Sequence, residues 1–234
     1  AQTGNELRMT FRNGEVLLLT LIIPVLLLVL FTVVPLVAVD GARVDFLVPG
    51  VLALAVLSTS FTGLAIATGF ERQYGVLKRL GATALPRAVL LGAKTLGVLA
   101  VEVVQAVLLL AVGLTLGWSP HGSPVAVAGL LLLGTAAFAG LGLLLAGTLE
   151  ALTTLVAANL VYILLLVGGG VVFPLTSFPA GVQQVLSLLP VAALSDGLRA
   201  VLRAGVAVPV HDWVTLGVWA LVGLPVAAFA FRWE

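Results

Sequence analysis

The chain has 234 residues, of which 61% are hydrophobic and only 9% charged, with a formal net charge of +1. Soluble domains carry charge on roughly a quarter of their residues, so this composition argues against one. The near-neutral balance, with no clustered basic and aromatic pattern, gives a nucleic-acid partner no footing. The absence of cysteine rules out disulfides, thiolate chemistry and thiolate-bound zinc.

Apolar runs of about 18 residues or more read as membrane-spanning helices, and the sequence holds six. They fall at about Val16–Val39, Phe46–Phe70, Ala88–Gly117, Val125–Leu149, Ala151–Pro174 and Trp213–Phe231, and make residues 1–234 one transmembrane domain. The predicted class is all-α, because the runs are continuous and lack the alternation of a membrane β-barrel. Ahead of the first run, ELRMTFRNGE reads as an interfacial helix with Leu7 and Phe11 toward lipid and two arginines toward phosphate. That first run exceeds a secretory signal in length and is followed by no A-x-A site, so it is read as a retained span.

The connections differ in weight. DGARVD (40–45), WSPHGSP (118–124) and the turn at Glu150 are short. Segments 71–87 and 175–212 are longer. With the N-terminus inside, Arg8, Arg12, Arg72, Lys78, Arg79, Arg87 and Arg232 face the cytoplasm, against Arg43, Arg199 and Arg203 outside. The excess of basic residues predicts that both termini are cytoplasmic.

Segment 71–87, ERQYGVLKRLGATALPR, concentrates charge between two greasy runs. A helix over Glu71–Leu80 places Tyr74, Leu77 and Leu80 on one stripe and Glu71, Lys78 and Arg79 on another. Gly81 then suits a C-cap, Thr83 an N-cap and Pro86 the first turn of the next helix. By pattern alone, this amphipathic lever fits equally a basic loop resting on anionic headgroups.

The same segment closely resembles the cytoplasmic helix of ATP-binding-cassette type-2 export permeases, E-[RK]-x-x-G-x-[LM]-[KR]-x-L-x-[AV]-[ST]-P-L. Glu71, Arg72, Gly75, Leu77, Lys78, Leu80 and Thr83 match, while Ala84 replaces the family's proline. FRNGEVLLLTLIIPVLLLVLF (11–31) resembles the family's opening, with Pro24 inside the first span. VVFPLTSFPAGVQQVLSLLPVAALSDGLRAVLRAG (171–205) resembles its outer region, with Pro174, Pro179, Pro190 and Arg199 in place. The resemblance implies a permease in the inner membrane of a prokaryote that pairs with a second permease copy. It implies ATPase subunits that carry ATP and Mg²⁺, and a coupling helix whose contacts are Glu71, Arg72, Gly75, Lys78 and Arg79.

The chain itself has no phosphate loop, no H-E-x-x-H and no G-x-S-x-G, so no enzyme site and no cofactor of its own are predicted. His121 and His211 stand without a second metal ligand by spacing. Within the third span, Glu102 lies near mid-depth, where an acid costs roughly 3 kcal/mol and is a functional candidate by default. Glu102 and Gln105, three apart, share a helix face and are expected at the export pathway or subunit seam, or between packed helices. Lys94 is near enough to the inner surface to snorkel. In the outer segment, short helices over Ala180–Leu188 and Ala192–Ala204 are apolar enough to re-enter the membrane surface, with Asp196 and Arg199 paired. Gly168–Gly170 serve either a movable gate or close packing.

The reading is an export permease subunit for an amphipathic drug-like molecule or lipid. The alternatives are an ion-driven secondary carrier with Glu102 as its proton site, and a membrane scaffold. A carrier predicts more intramembrane ionisable groups and a half-to-half repeat; a scaffold gives the charged lever no purpose.

Overall fold

The computed structural model describes residues 14–34, 41–81, 87–171, 175 and 178–231. The proposed interfacial helix before Gly14, and Thr83, Ala84 and Pro86, lie outside them. The regular elements are helical: α1 Gly14–Val33, α2 Arg43–Val56, a π-turn Leu57–Gly63, α3 Leu64–Gln73, α4 Val76–Gly81 and α5 Arg87–Thr115. They continue with α6 Pro124–Thr148, α7 Ala151–Gly168, α8 Ala180–Leu186, α9 Pro190–Leu202 and α10 Val210–Ala230.

Among the described residues five helices are long and apolar enough to cross a membrane, and they correspond to the second to sixth predicted runs. The described apolar part of α1, Thr20–Val33, is shorter. The second run is a rod from Arg43 to Gln73, longer at both ends than its apolar core suggested. The fifth helix stops at Gly168, six residues before the proline expected to end it, because the glycine run takes over there. Helices α8 and α9 meet at 95°. Their bounds begin two residues earlier for α9 than predicted, since Pro190 itself opens the helix.

The π-turn interrupts the rod where the sequence reads LSTSFTG. Hydroxyl side chains there compete for backbone carbonyls; Ser60 Oγ donates to Val56 O at 2.6 Å. Such wide turns inside α-helices commonly mark functional positions.

Helix α6 is the hub. It runs along α10 and also meets α3, the π-turn and α9. Its small residues permit this: a Cβ placed on Gly140 would lie 2.6 Å from the backbone carbon of Gly223, and one on Gly142 would lie 2.7 Å from Phe61 O. In lipid, such close approach of backbones supplies the packing that the hydrophobic effect supplies in water. The Ala136-x-x-x-Gly140 spacing thus serves contact within this chain. Phe61, Phe138, Leu130, Leu194 and Leu52 fill the centre.

Gly140→Ala should therefore separate α6 from α10 and lower stability by about 1–3 kcal/mol. Gly217→Ala on α10 meets nothing within 4 Å and should be neutral or stabilising through helix propensity. Thermal unfolding in detergent compares the two.

Candidate functional site

The charged segment does not form one helix from Glu71 to Leu80. Helix α3 runs through Glu71 and Arg72 to Gln73, and the chain breaks at Tyr74 and Gly75 before α4 begins. Gly75 has φ +69°, with its N–H donating to Arg72 O at 3.0 Å. The glycine that ends the helix is thus Gly75, six residues before the predicted C-cap at Gly81. Nothing lies within 4 Å of a Cβ built at Gly75, so the backbone conformation, not space, demands glycine there. The break rotates α4 against α3 and undoes the predicted stripe. Leu77 is 0% exposed, whereas Tyr74 is 70% exposed and stacks on Phe70 with ring centroids 6.1 Å apart.

Two of the charged side chains turn inward. Lys94 Nζ on α5 donates to Glu71 Oε2 at 2.5 Å, with the lysine side chain 3% exposed and the glutamate 24%. Lys94 is paired inside the bundle and does not reach for the surface as the snorkelling expectation had it. Arg72 Nη1 donates to Ala146 O at 3.0 Å and Nη2 to Leu149 O at 2.6 Å. These carbonyls lie at the C-terminal end of α6, where a helix leaves its last acceptors unfilled and its dipole favours a cation. Glu71 and Arg72 therefore bolt the end of α3 to α5 and α6.

Lys78 and Arg79 remain exposed on α4. Arg79 reaches back toward Gly75 O and Tyr74 O at 3.4 and 3.5 Å. Leu77 anchors α4 in an apolar cluster with Leu90, Leu91, Leu143, Ala227 and Phe231. The structure thus divides the five predicted coupling residues into two internal ties, one hinge glycine and two outward cations. Tyr74 joins the outward set. Sequence reasoning placed it on one stripe with Leu77 and Leu80, because nothing in the residue pattern announced the break at Gly75.

At mid-depth, a cavity of about 380 Å³ opens between α1, the π-turn and α7. Its lining includes Thr20 and Pro24 of α1, Ser58, Thr59 and Thr62 of the π-turn, and Asn159 and Tyr162 of α7. The lining carries hydroxyl and amide groups among apolar ones and no charged side chain. Ser58 Oγ donates to Tyr162 Oη at 3.3 Å, joining the π-turn to α7 across the cavity floor.

Gln105 stands behind this wall. Its Oε1 accepts from Thr59 Oγ1 at 3.0 Å, and its Nε2 donates to Thr20 O at 2.9 Å. Thr20 is four residues before Pro24, which has no N–H to return, so its carbonyl is the one that the proline deprives of a helical partner. The Gln105 amide fills that vacancy. Glu102 points elsewhere. It is 5% exposed and takes a hydrogen bond from Thr135 of α6, whose hydroxyl also reaches Leu131 O at 2.8 Å. The structure thus places Glu102 among packed helices of one chain and Gln105 in the second layer of the cavity wall. The cavity's hydroxyl residues were not singled out from the sequence; their signal is the LSTSFTG run itself, four hydroxyls in an apolar span.

At the opposite end of the bundle from α4, Arg199 of α9 lies 4.0 Å over the Phe46 ring. It donates to Val171 O at 2.9 Å and meets Asp196 at 3.4 Å, the pair the sequence predicted. Ser195 Oγ donates to Gly169 O at 2.9 Å. Val191 packs so close to Gly169 that a Cβ there would lie 2.4 Å from Val191 Cγ1. The glycine run after α7 is therefore a close-packing surface for α9.

The profile of the ABC-2 type transporter family matches residues 2–202, most of the chain. The chain belongs to the ABC-2 type transporter family. No curated protein matches it. The family match makes the chain a transmembrane component of an ABC transporter, a transport permease. As an ABC-2 permease it has two distinctive regions, the bolted segment 71–81 and the π-turn cavity, and both fall within the matched residues.

Two substitutions test these ties. Glu71→Gln should lower stability by about 1–3 kcal/mol, because a neutral amide replaces the carboxylate that faces the buried ammonium, while the double change with Lys94→Met should recover part of that loss. Equal losses in single and double variants, read by thermal unfolding, would contradict the pairing. Gln105→Leu removes the amide that donates to Thr20 O and accepts from Thr59, and should cost about 1–3 kcal/mol, whereas Gln105→Leu combined with Pro24→Ala, which restores the helical N–H, should cost less.

Proposed function

We propose that this permease works as an exporter subunit, in a dimer, driven by separate ATPase subunits that dock on α4 and the Tyr74–Gly75 turn. The observation that carries the proposal is the bolting of α3. Glu71 and Arg72 tie the base of α4 to α5 and α6, so a displacement of α4 moves three long helices together. Lys78 and Arg79 offer exposed cations and Tyr74 an exposed ring to an acidic and apolar cleft. Glu71, Arg72 and Gly75 act as coupling residues by fixing the lever's root and its angle. ATP and Mg²⁺ belong to the partner subunits.

The π-turn lies on the rod that ends at the lever's root, with α3 between the two. Motion of α3 therefore reaches the cavity wall first. The cavity lies between α1 and α7, whose outward faces carry exposed Leu26, Leu30, Val156, Leu160 and Leu164. A second copy, related or identical, seated against these faces closes the cavity into a pathway. Uncharged hydroxyls and an amide in an apolar lining suit an amphipathic drug-like molecule or lipid. Gln105 then tunes the wall from behind, and Glu102 holds α5 to α6. The excess of basic residues on the α4 side supports six spans with both termini in the cytoplasm of a prokaryotic cell, and a re-entrant α8–α9 pair on the outer face.

The experiment is co-purification followed by reconstitution. The native chain should bring an ATPase subunit with it and export its cargo only with ATP. Lys78→Glu with Arg79→Glu should abolish co-purification while thermal unfolding of the permease stays unchanged. Leu164→Cys, in a chain with no other cysteine, should yield cross-linked dimers with a thiol-specific reagent. Transport by the purified chain alone, driven by an ion gradient, would overturn the reading.

A further inference from the structure

A second cavity, of about 460 Å³, lies between α5 and α10 on the side of the bundle away from α1 and α7. It is lined by Leu91, Gly92, Thr95, Leu96, Pro225 and Ala228, with Leu224 completing the wall. These two helices scarcely meet, because α10 is held along α6 and α5 leans on α1 and α2. Gly92, Thr95, Pro225 and Ala228 are small or cyclic, and Leu91, Leu96 and Leu224 border the gap without filling it. A Cβ built on Gly92 finds nothing within 4 Å. The one side-chain hydroxyl in the lining, that of Thr95, is already spent on Leu91 O at 3.0 Å. The crevice therefore asks for hydrocarbon and offers no polar partner.

Its position says which hydrocarbon. The lining residues lie close to the start of α5 and the end of α10, so the crevice is in the leaflet on the α4 side. Leu77 of α4 packs in the same apolar cluster as Leu91 and Ala228. The shared cluster puts α4 at the same end of the bundle as the crevice, with the exposed Lys78 and Arg79 following Leu77 in the chain. An apolar slot within the bilayer and two cations at its polar end match the two parts of an anionic phospholipid.

We propose that the crevice between α5 and α10 is a binding site for an anionic phospholipid, with one acyl chain between the helices and its phosphate near Lys78 and Arg79. The lipid fills the space that the helices leave open. The site does not depend on the dimer or on an ATPase, and its test uses neither.

The test is photo-cross-linking of the full chain in nanodiscs of phosphatidylcholine containing a minor share of phosphatidylglycerol, one lipid at a time carrying a photoreactive acyl chain. The expected result is attachment concentrated in the peptides containing Leu91–Leu96 and Leu224–Ala228, stronger from phosphatidylglycerol than from phosphatidylcholine. Excess unlabelled phosphatidylglycerol should compete it away and excess phosphatidylcholine should not. Gly92→Phe, which grows into empty space, should lose the attachment from both lipids. Lys78→Glu with Arg79→Glu should lose only the preference for phosphatidylglycerol. Attachment spread evenly over the exposed faces of the other helices, no preference between headgroups in the native chain, or cross-links from these residues to a second copy would each overturn the proposal. The competition arm decides the matter on native protein even where Gly92→Phe fails to fold.

Discussion

Inside a bilayer no water is at hand to satisfy a backbone carbonyl, so every helix end, break or proline must find a donor in the protein. This constraint organises the long polar side chains of this permease. Gln105 serves the Thr20 carbonyl that Pro24 abandons. Arg72 serves the last carbonyls of α6. Ser195 and Arg199 serve those of the glycine turn after α7, and Trp219 Nε1 serves Leu188 O between α8 and α9. Each donor belongs to a different helix from its acceptor. The satisfaction of one helix's backbone is thereby the attachment of another.

The arrangement bears on how force would travel. A helix end held only by apolar packing can slide; one held by a two-pronged guanidinium on two carbonyls resists both sliding and rotation. Segment 71–81 has such a root, and the part-buried Glu71–Lys94 pair adds a second fixed point on α5. Such a pair is weak evidence for net stability, because desolvation offsets much of the attraction. Its value is positional, since it fixes where the end of α3 meets α5. Gly75 is then the single place where the lever's direction is set, and the stiff root lies immediately before it.

At mid-depth the logic reverses. The π-turn spends its hydroxyls on lateral bonds to α5 and α7, and it carries one wall of a cavity. Such wide turns often mark functional positions, and this one lies where the rod from Arg43 to Gln73 meets the cavity, away from its tied base. The α9 end is closed by a different means, the Arg199 guanidinium lodged between a ring, a carbonyl and a carboxylate.

Much of this was legible in the residues. Continuous apolar runs fixed the helical class and the approximate spans, since hydrocarbon thickness admits little else. The motif around Glu71 and Gly75 identified the family and the segment that matters in it, and spacing predicted the Asp196–Arg199 pair. What the sequence could not supply was direction. Glu71 and Arg72 looked like surface charges because their partners lie 23 and more than 70 residues away in the chain. Gln105 and Glu102 share a helix face by spacing, yet they turn to different neighbours because α1 presents an orphaned carbonyl and α6 a hydroxyl. The break at Gly75 in place of Gly81 follows from where α3 is bolted, which is a fact of packing. The sequence by itself determined what must be buried in lipid and which segment carries charge; only the tertiary structure decided which charges turn inward, because unpaired carbonyls and buried partners exist only once the helices are assembled.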